Sequence, residues 1–262
     1  TASYGFSIKD KHNFSMLLGQ EIYHSQNKKN FQKNRYFPRA FEAGQAWDNM
    51  GFGTPQESTS SLSTPDRTAS FFGQASYNYN HKYLLSVTMR ADGSTKFAPG
   101  NQWGYFPSVS GAWVLSEEKF MEDIKWIDQL KLRAAIGLAG NNRISDDMWR
   151  YLYTVNSTGG PGFGEATQFG EQWYGNQGGT TFANKNIKWE TTLTRNLAAD
   201  ITLFNGRLTV TPEIYWNTTK DLLYKSDIPS ATGYVSQMQN IGQVTNKAVS
   251  YTHLRAHETD SY

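Results

Sequence analysis

Two histidines near the end of the chain have a spacing that could serve metal binding. His253 and His257 stand four residues apart, and on a helix that spacing places two imidazoles on one face. The neighbouring sequence suggests no third or fourth ligand, and the chain contains no cysteine that could supply a thiolate. We therefore expect no metal and no other cofactor at these residues.

Recognisable catalytic motifs are absent from the sequence. The glycine-rich segment at positions 159–164 lacks the Lys-Ser or Lys-Thr pair of a phosphate-binding loop and is more typical of an external loop. Neither G-x-S-x-G nor H-E-x-x-H occurs, so the usual hydrolase signatures are missing. The sequence gives no sign of an enzyme. A net charge of +2 gives no reason to expect a nucleic-acid partner.

Aromatic residues in long polar segments are the remaining candidates for binding chemistry. Aromatic rings stack on the C–H faces of sugars, while amide side chains hydrogen-bond sugar hydroxyls. The alternative is that these rings pack the loops or contact a partner protein. The candidates, which stand among Asn, Gln and Gly, are Trp47, Trp149, Trp173 and Tyr174.

The elements that must position these side chains are β-strands with two unlike faces. Around residue 86, apolar and polar side chains alternate, which is typical of a strand with one oily and one wet face. The oily positions are Tyr83, Leu85, Val87 and Met89, and the wet ones are Lys82, Ser86, Thr88 and Arg90, with Leu84 as the exception. The alternation recurs at 71–79, 132–138, 193–203 and 208–216, with Arg195 interrupting one oily face.

Connection length is the second signal of the fold. Short turns at about 9–12, 80–82 and 205–206 alternate with long links at about 26–67 and 141–185, and a short helical piece is expected at 116–128. Strands such as 103–115 and 189–204 are longer than the ~5–6 residues usual in soluble sheets and long enough to cross a bilayer. Both features are typical of an outer-membrane barrel, whose polar lumen and loops fit the mean hydropathy of −0.62. The alternative is a soluble, β-rich carbohydrate-binding module.

A series of short motifs between Arg67 and Phe120 recurs in one known family. They comprise an aromatic-Gly strand, a KYLL strand, an R-x-DGS-x-F loop, a W-G-x-FPS strand and an SEE-x-F turn, in that order, between positions 72 and 120. This stretch resembles the barrel of SusC/RagA-type TonB-linked (TonB-dependent) outer-membrane transporters. Segments at 130–144, 184–224 and 240–248 resemble further strands of that family, with Lys185 in place of its usual proline and Ala248 in place of a glycine.

The resemblance implies both a fold and a function. The expected fold is all-β: an open fragment of an antiparallel transmembrane barrel, with about nine of ~22 strands, long extracellular loops and short periplasmic turns. The expected function is part of an importer of oligosaccharides or peptides in the outer membrane of a Gram-negative bacterium. The implied partners are outer-membrane lipids, a SusD-type lipoprotein and TonB, which would act through an N-terminal part absent here. Without that part and the plug, the fragment alone is not expected to transport.

Two finer expectations complete the interpretation of the sequence. Arg90, Lys131 and Arg133 are expected to face the barrel lumen, where a charge stays hydrated or paired; Leu85, Val87, Leu193 and Ile201 are expected to face lipid. Residues 1–248 are expected to be barrel, whereas residues 249–262 resemble a translated sequencing-adapter tail and are expected to be non-native.

Overall fold

The structure, a computed structural model, describes residues 1–9, 11–151, 153–156, 166–169, 172–176 and 181–255. Nearly all of the regular structure is β. In chain order the strands are β1 (Ala2–Ile8), β2 (His12–Ser25), β3 (Lys28–Arg35), β4 (Thr54–Leu62), β5 (Asp66–Tyr79), β6 (Tyr83–Ser94), β7 (Trp103–Val114), β8 (Ile127–Asn141), β9 (Tyr153–Asn156), β10 (Ala166–Phe169), β11 (Gln172–Asn176), β12 (Thr181–Phe182), β13 (Glu190–Leu203), β14 (Leu208–Lys220), β15 (Leu223–Asp227), β16 (Ser236–Asn240) and β17 (Gln243–Arg255).

Helical structure is confined to short pieces in the described part of the chain. One α-helix, α1, spans Ala43–Asp48, and single 3₁₀ turns lie at Met50–Phe52, Leu115–Glu117, Lys119–Met121 and Ser230–Thr232. No helix among the described residues is long and apolar enough to cross a membrane.

The main sheet contains nine strands in the order β1-β2-β5-β6-β7-β8-β13-β14-β17. The pair β1–β2 and all neighbouring pairs from β5 to β17 are antiparallel. Since β1 and β17 stand at the two ends of this order, the sheet is not closed within the described residues. The predicted open, antiparallel sheet of about nine strands is therefore confirmed.

The strands of this sheet have different connections at their two ends. At one end of the strands, here called the turn edge, tight turns join β1 to β2, β5 to β6 and β13 to β14. Asn80 and His81 both have positive φ (48° and 59°), as do Phe204, Asn205 and Gly206, which is the backbone that a tight hairpin turn needs. At the other, here called the loop edge, long connections leave the strands.

The connection from β7 to β8 differs from the expected short helical piece at 116–128. It contains two separate 3₁₀ turns, with Glu118 between them in an extended conformation (φ −84°, ψ 145°). The side chain of Glu118 is held by three groups from the sheet, and this tertiary anchoring interrupts the helical path.

The long connections at the loop edge have structure of their own. Short sheets form from β10-β11-β9 and from β12-β16-β15. A small apolar cluster of Phe97, Phe106, Ile144, Ile187 and Trp189 lies among these connections, and Phe97 and Ile187 have no exposed surface. The loop edge is therefore packed around a core rather than left open.

Residues Tyr23–Arg67 form a separate compact unit. It contains the β3–β4 hairpin and α1, and the amide of Asn34 donates to the backbone oxygen of Met50 at 2.6 Å. The rings of Phe41 and Phe52 meet edge to face at 5.5 Å. The sequence predicted only a long link at about 26–67, and it did not predict this hairpin.

Candidate functional site

The main sheet carries an apolar face and a polar face, each defined by its register. Residues directly opposite one another on neighbouring strands point to the same side, so one row runs through Ala75, Val87, Val109 and Ile136. Apolar side chains of this face remain about half exposed, at 44% for Val87 and 51% for Ile136. A broad apolar surface that the described residues leave uncovered marks a contact with lipid or protein.

Aromatic rings border the apolar face at both edges. At the turn edge, Tyr83 stacks between Tyr79 and Trp113 with ring centroids 6.2 Å apart in each pair. At the loop edge, Phe71 and Trp103 stack at 6.1 Å. Trp103 and Trp113 stand ten residues apart on β7, which is ~33 Å along a strand and ~25 Å in height at a tilt of ~40°. The apolar face therefore has the height of a membrane band.

The opposite face is polar and carries mainly hydroxyl and amide side chains. Gln74 donates to the hydroxyl of Ser86 at 3.0 Å, and Thr192 and Thr219 share a hydrogen bond of 2.9 Å between their hydroxyls. Leu84, the apolar residue at a polar position of the alternation in β6, points to this side, because it is paired with Asn78 and Ala112. Such a surface suits water or a polar protein surface.

The three cations predicted to face a lumen all belong to the polar face, as their registers show. The Nε of Arg90 donates to both carboxylate oxygens of Asp92, at 2.8 and 2.9 Å, and the guanidinium also donates to the hydroxyl of Ser70. Arg133 forms two 2.9 Å hydrogen bonds with Asp200. Lys131 stands directly opposite Asp200 in the register, yet the carboxylate is held by Arg133. These charges lie on one face without converging on one point.

The four loop aromatics are placed in different parts of the chain. Trp47 lies on α1 in the unit Tyr23–Arg67 and has 77% of its surface exposed. The indole of Trp149 donates to the backbone oxygen of Thr95 at 3.4 Å, and the guanidinium of Arg150 covers its ring at 4.4 Å. Trp173 and Tyr174 belong to β11, and their side chains lie outside the described part.

The remaining sequence candidates are placed only in part. His253 belongs to β17, a strand rather than a helix, so the four-residue helical spacing does not arise there. His257 and the glycine-rich segment 159–164 lie outside the described residues.

Sequence reasoning missed the residues that hold the loop edge together. The amide of Asn240 donates to the backbone oxygens of Lys188 and Asp221, both at 2.8 Å, and accepts from the backbone of Lys188 at 2.9 Å. The indole of Trp189 donates to the backbone oxygen of Gln102 at 2.9 Å. The residues that these contacts join are separated by between 19 and 87 positions in the sequence. Such pairs cannot be predicted from a local sequence pattern.

Glu118 is the corresponding anchor at the turn edge. Its carboxylate accepts from the Tyr83 hydroxyl at 2.7 Å, the Trp113 indole at 3.2 Å and the Lys82 ammonium at 3.4 Å. The hydrogen bond from Tyr83 foremost, and then those from Trp113 and Lys82, lower the pKa of Glu118 below its ordinary value. The carboxylate thus fastens the β7–β8 connection to the aromatic border.

Comparison with known proteins assigns this architecture to one group. Residues 2–249 match the family described as TonB dependent receptor-like, beta-barrel. The chain is 34% identical over 246 residues to the TonB-dependent receptor SusC of Bacteroides thetaiotaomicron, covering 91% of this chain and 23% of that protein. It is 38% identical over 184 residues to the TonB-dependent receptor P26 of Formosa agariphila, covering 70% and 18%. The chain thus spans under a quarter of the length of these relatives.

Solved structures show the same fold. The RagAB peptide transporter matches with a TM-score of 0.83 at 23% identity, covering 98% of this chain and 27% of that one. The hemophore receptor HasR of Serratia marcescens matches with a TM-score of 0.53 at 12% identity, covering 96% and 38%. At such identities the likeness concerns the fold alone.

Proposed function

The chain belongs to the TonB-dependent receptor β-barrel family, and from this membership we propose that it is part of the wall of an outer-membrane nutrient importer. The observation that carries the proposal is the two-faced main sheet, whose apolar side is uncovered, bordered by aromatic rings and about as tall as a membrane band. In the proposed protein that side contacts lipid and the polar side lines the lumen. The turn edge lies in the periplasm and the loop edge outside the cell.

The cargo is an oligosaccharide or a peptide. Support comes from the 34% identity to the receptor SusC and from the fold shared with a structure named as the RagAB peptide transporter. A SusD-type lipoprotein covers the loop edge, and TonB acts through a part of the protein outside this chain. The fragment without those parts does not transport.

The polar face is the lumen wall in this proposal. Arg90 and Arg133 are neutralised by Asp92 and Asp200, so these two residues present fixed charge pairs to a plug or to water, whereas Lys131 forms no ion pair among the described residues. Among the loop aromatics, Trp47 has the most exposed described side chain, and we propose that it stacks on a sugar or peptide ring of the cargo. We propose as further ligand contacts Trp149, Trp173 and Tyr174.

The end of the chain is treated separately. We propose that residues 1–248 are barrel and that residues 249–262 are not native. The family match, which extends to residue 249, supports this boundary, although β17 stays in register with β14 as far as Arg255. Resequencing the locus from source DNA tests it: a different continuation after residue 248 is expected, and recovery of the same tail would refute it.

Localisation and uptake together test the proposed function. The intact protein that contains this chain should fractionate with the outer membrane, and deleting its gene should abolish growth on one oligosaccharide or peptide as sole nutrient. Recovery in the cytosol would contradict the membrane assignment. A soluble carbohydrate-binding module would instead remain monodisperse without detergent.

A further inference from the structure

The β3–β4 hairpin carries charge of mostly one sign. The strand β3 reads KKNFQKNR, with four basic residues and no acidic one, and β4 contains one acidic residue, Glu57. Short stretches rich in lysine and arginine are typical of surfaces that bind polyanions such as heparin or nucleic acid. The hairpin therefore suits an anionic partner.

Both strands of this hairpin are open to solvent. Across β3 and β4, all of whose residues the structure describes, none is buried, and the pair forms a two-stranded sheet. A hairpin of only two strands is marginally stable by itself in water. A ligand that covers one of its faces would therefore stabilise it.

The register gives the hairpin two unlike faces, because directly opposed residues point to the same side. One of them, here called the lysine face, places Lys29 opposite Ser61, Phe31 opposite Thr59 and Lys33 opposite Glu57. The other face pairs Lys28 with Leu62, Asn30 with Ser60 and Gln32 with Ser58. Two basic residues of β3 thus flank an aromatic residue on the lysine face.

The two faces also differ in their hydrogen bonds. On the other face, the hydroxyl of Ser60 donates to the amide oxygen of Asn30 at 2.9 Å. On the lysine face, the two ammonium groups and the hydroxyls of Thr59 and Ser61 form no side-chain hydrogen bond and no ion pair with any described residue. The lysine face therefore keeps its donors and acceptors available for a ligand.

The spacing along β3 sets a charge on each side of a ring. Phe31 stands two residues from Lys29 and two from Lys33, which is ~7 Å along a strand in each direction, and 43% of its surface is exposed. An exposed aromatic ring offers an apolar surface for the C–H face of a sugar, and each ammonium is a compact point charge with three donors. The row of charge, ring and charge fits a chain of sugars that carry acidic groups.

We propose that the lysine face binds an acidic oligosaccharide, with Lys29 and Lys33 on its carboxylate or sulfate groups and Phe31 stacked on a sugar ring between them. The hydroxyls of Thr59 and Ser61 hydrogen-bond sugar hydroxyls. The connection from β2 to β5, which contains the hairpin, leaves the strands at the loop edge, and the proposed function places that edge outside the cell. The inference rests on the proposed function and narrows its cargo to a negatively charged oligosaccharide.

The test uses the intact protein purified from the outer membrane in detergent. Calorimetry at low salt measures the binding of oligogalacturonate, oligomannuronate and carrageenan fragments, each beside the carboxyl-reduced or desulfated form of the same chain. The wild type should bind at least one acidic fragment about tenfold more tightly than its neutral form. The variant K29Q/K33Q should lose about tenfold in that affinity, as two exposed charge pairs allow.

The matched control removes the same net charge at the turn edge. Lys119 and Lys125 are exposed, and their side chains form no hydrogen bond or ion pair within the described residues, so K119Q/K125Q should bind like the wild type. An equal loss of affinity in both double variants would show that only the overall charge matters and would overturn the site.

Three further variants keep the test independent of folding defects. E57Q removes the carboxylate opposite Lys33 and should tighten binding about threefold, K29R/K33R should retain it, and F31S should weaken it. Equal binding of the acidic and neutral chains, no gain in E57Q, or tighter binding of oligoglutamate than of the acidic sugars would each overturn the inference. A protein absent from the outer membrane would instead refute the proposed function.

Discussion

The hydroxyl of Tyr83, the first residue of β6, donates a 2.7 Å hydrogen bond to Glu118, 35 residues later in the chain. Trp113, which stacks on Tyr83, donates to the same carboxylate oxygen. One acidic side chain therefore orients two rings of the turn-edge border and fastens the β7–β8 connection. The contact shows how the β7–β8 connection fixes the position of an aromatic pair at the border of the apolar face.

Removing this anchor should weaken the turn edge. Glu118→Gln keeps the size of the side chain but loses the charge that strengthens the hydrogen bonds from Tyr83 and Lys82. We expect a lower urea midpoint for the refolded intact protein, with the barrel still formed. Glu117→Gln is the matched control, because no hydrogen bond or ion pair involves its side chain within the described residues. Equal midpoints for wild type and Glu118→Gln would contradict the anchor.

The same carboxylate predicts a pH dependence. Hydrogen bonds from Tyr83, Trp113 and Lys82 lower the pKa of Glu118 below the ordinary 4.5. A group whose pKa is lower in the folded state stabilises the fold above its ordinary pKa and loses that contribution as the pH falls through the folded value. The midpoints of wild type and Glu118→Gln should therefore differ at pH 7 and converge below pH 4.5. A difference that persists at low pH would exclude ionisation as the cause.

A charge at mid-height on the apolar face should be costly. Val109 lies near the middle of the span between Trp103 and Trp113, so Val109→Arg should reduce the free energy of unfolding in lipid by ~2–4 kcal/mol. Ser86→Arg, one row away on the polar face, should cost under ~1 kcal/mol, because the guanidinium can stay hydrated there. Urea titrations in lipid vesicles measure both, and a reversed order would invert the face assignment.

A methyl group at Gly140 should disturb the packing of the loop edge. A Cβ there would lie 2.0 Å from Cζ of Phe106, a ring that is 6% exposed within the apolar cluster. Gly140→Ala should destabilise by ~1–3 kcal/mol, as overpacking usually does. At Gly111 a Cβ would meet its nearest neighbour at 3.7 Å, so Gly111→Ala should be close to neutral. Equal denaturation midpoints for both variants would refute the cluster's tight packing.

The Arg133–Asp200 pair should show a modest coupling. Both hydrogen bonds are 2.9 Å long, but the side chains are 40% and 27% exposed, so solvent screens the pair. A double-mutant cycle with Arg133→Gln and Asp200→Asn should give ~0.5–1 kcal/mol. The same cycle with Lys131→Gln should give a value near zero, although Lys131 is directly opposite Asp200. A larger coupling to Lys131 would show that the aspartate pairs differently in solution.

The faces of the sheet could be predicted because strand geometry is local. Side chains of a strand alternate with a period of two, so Leu85 and Val87 had to share one side, and Leu193 and Ile201 had to share one side of β13. The structure joins both sets on one face through the register. The turn at Asn205-Gly206 was also predictable, because both residues readily adopt positive φ.

The connections could not be predicted in the same way. The helical expectation at 116–128 was met only by two short 3₁₀ turns, because Glu118 between them is held by residues of two strands, and tertiary contacts override local propensity. In the segment 26–67, which the sequence predicted to be a plain link, the β3–β4 hairpin pairs Lys28 with Leu62. No short turn motif in the sequence indicates this pairing. Arg195 could be predicted to lie on an oily face, but only the register shows that Ile136 and Trp216 are its neighbours there.

Cysteine labelling at two adjacent positions tests the two-faced wall most directly. The chain contains no cysteine, so Val87→Cys and Thr88→Cys in the intact protein, made free of cysteine elsewhere, report on opposite faces of β6. In membrane vesicles, a water-soluble maleimide should label the Thr88→Cys variant from the lumen once the plug is unfolded with urea that leaves the barrel folded. The Val87→Cys variant should react only with a lipid-soluble reagent. Equal labelling of both variants by the water-soluble maleimide would contradict the account.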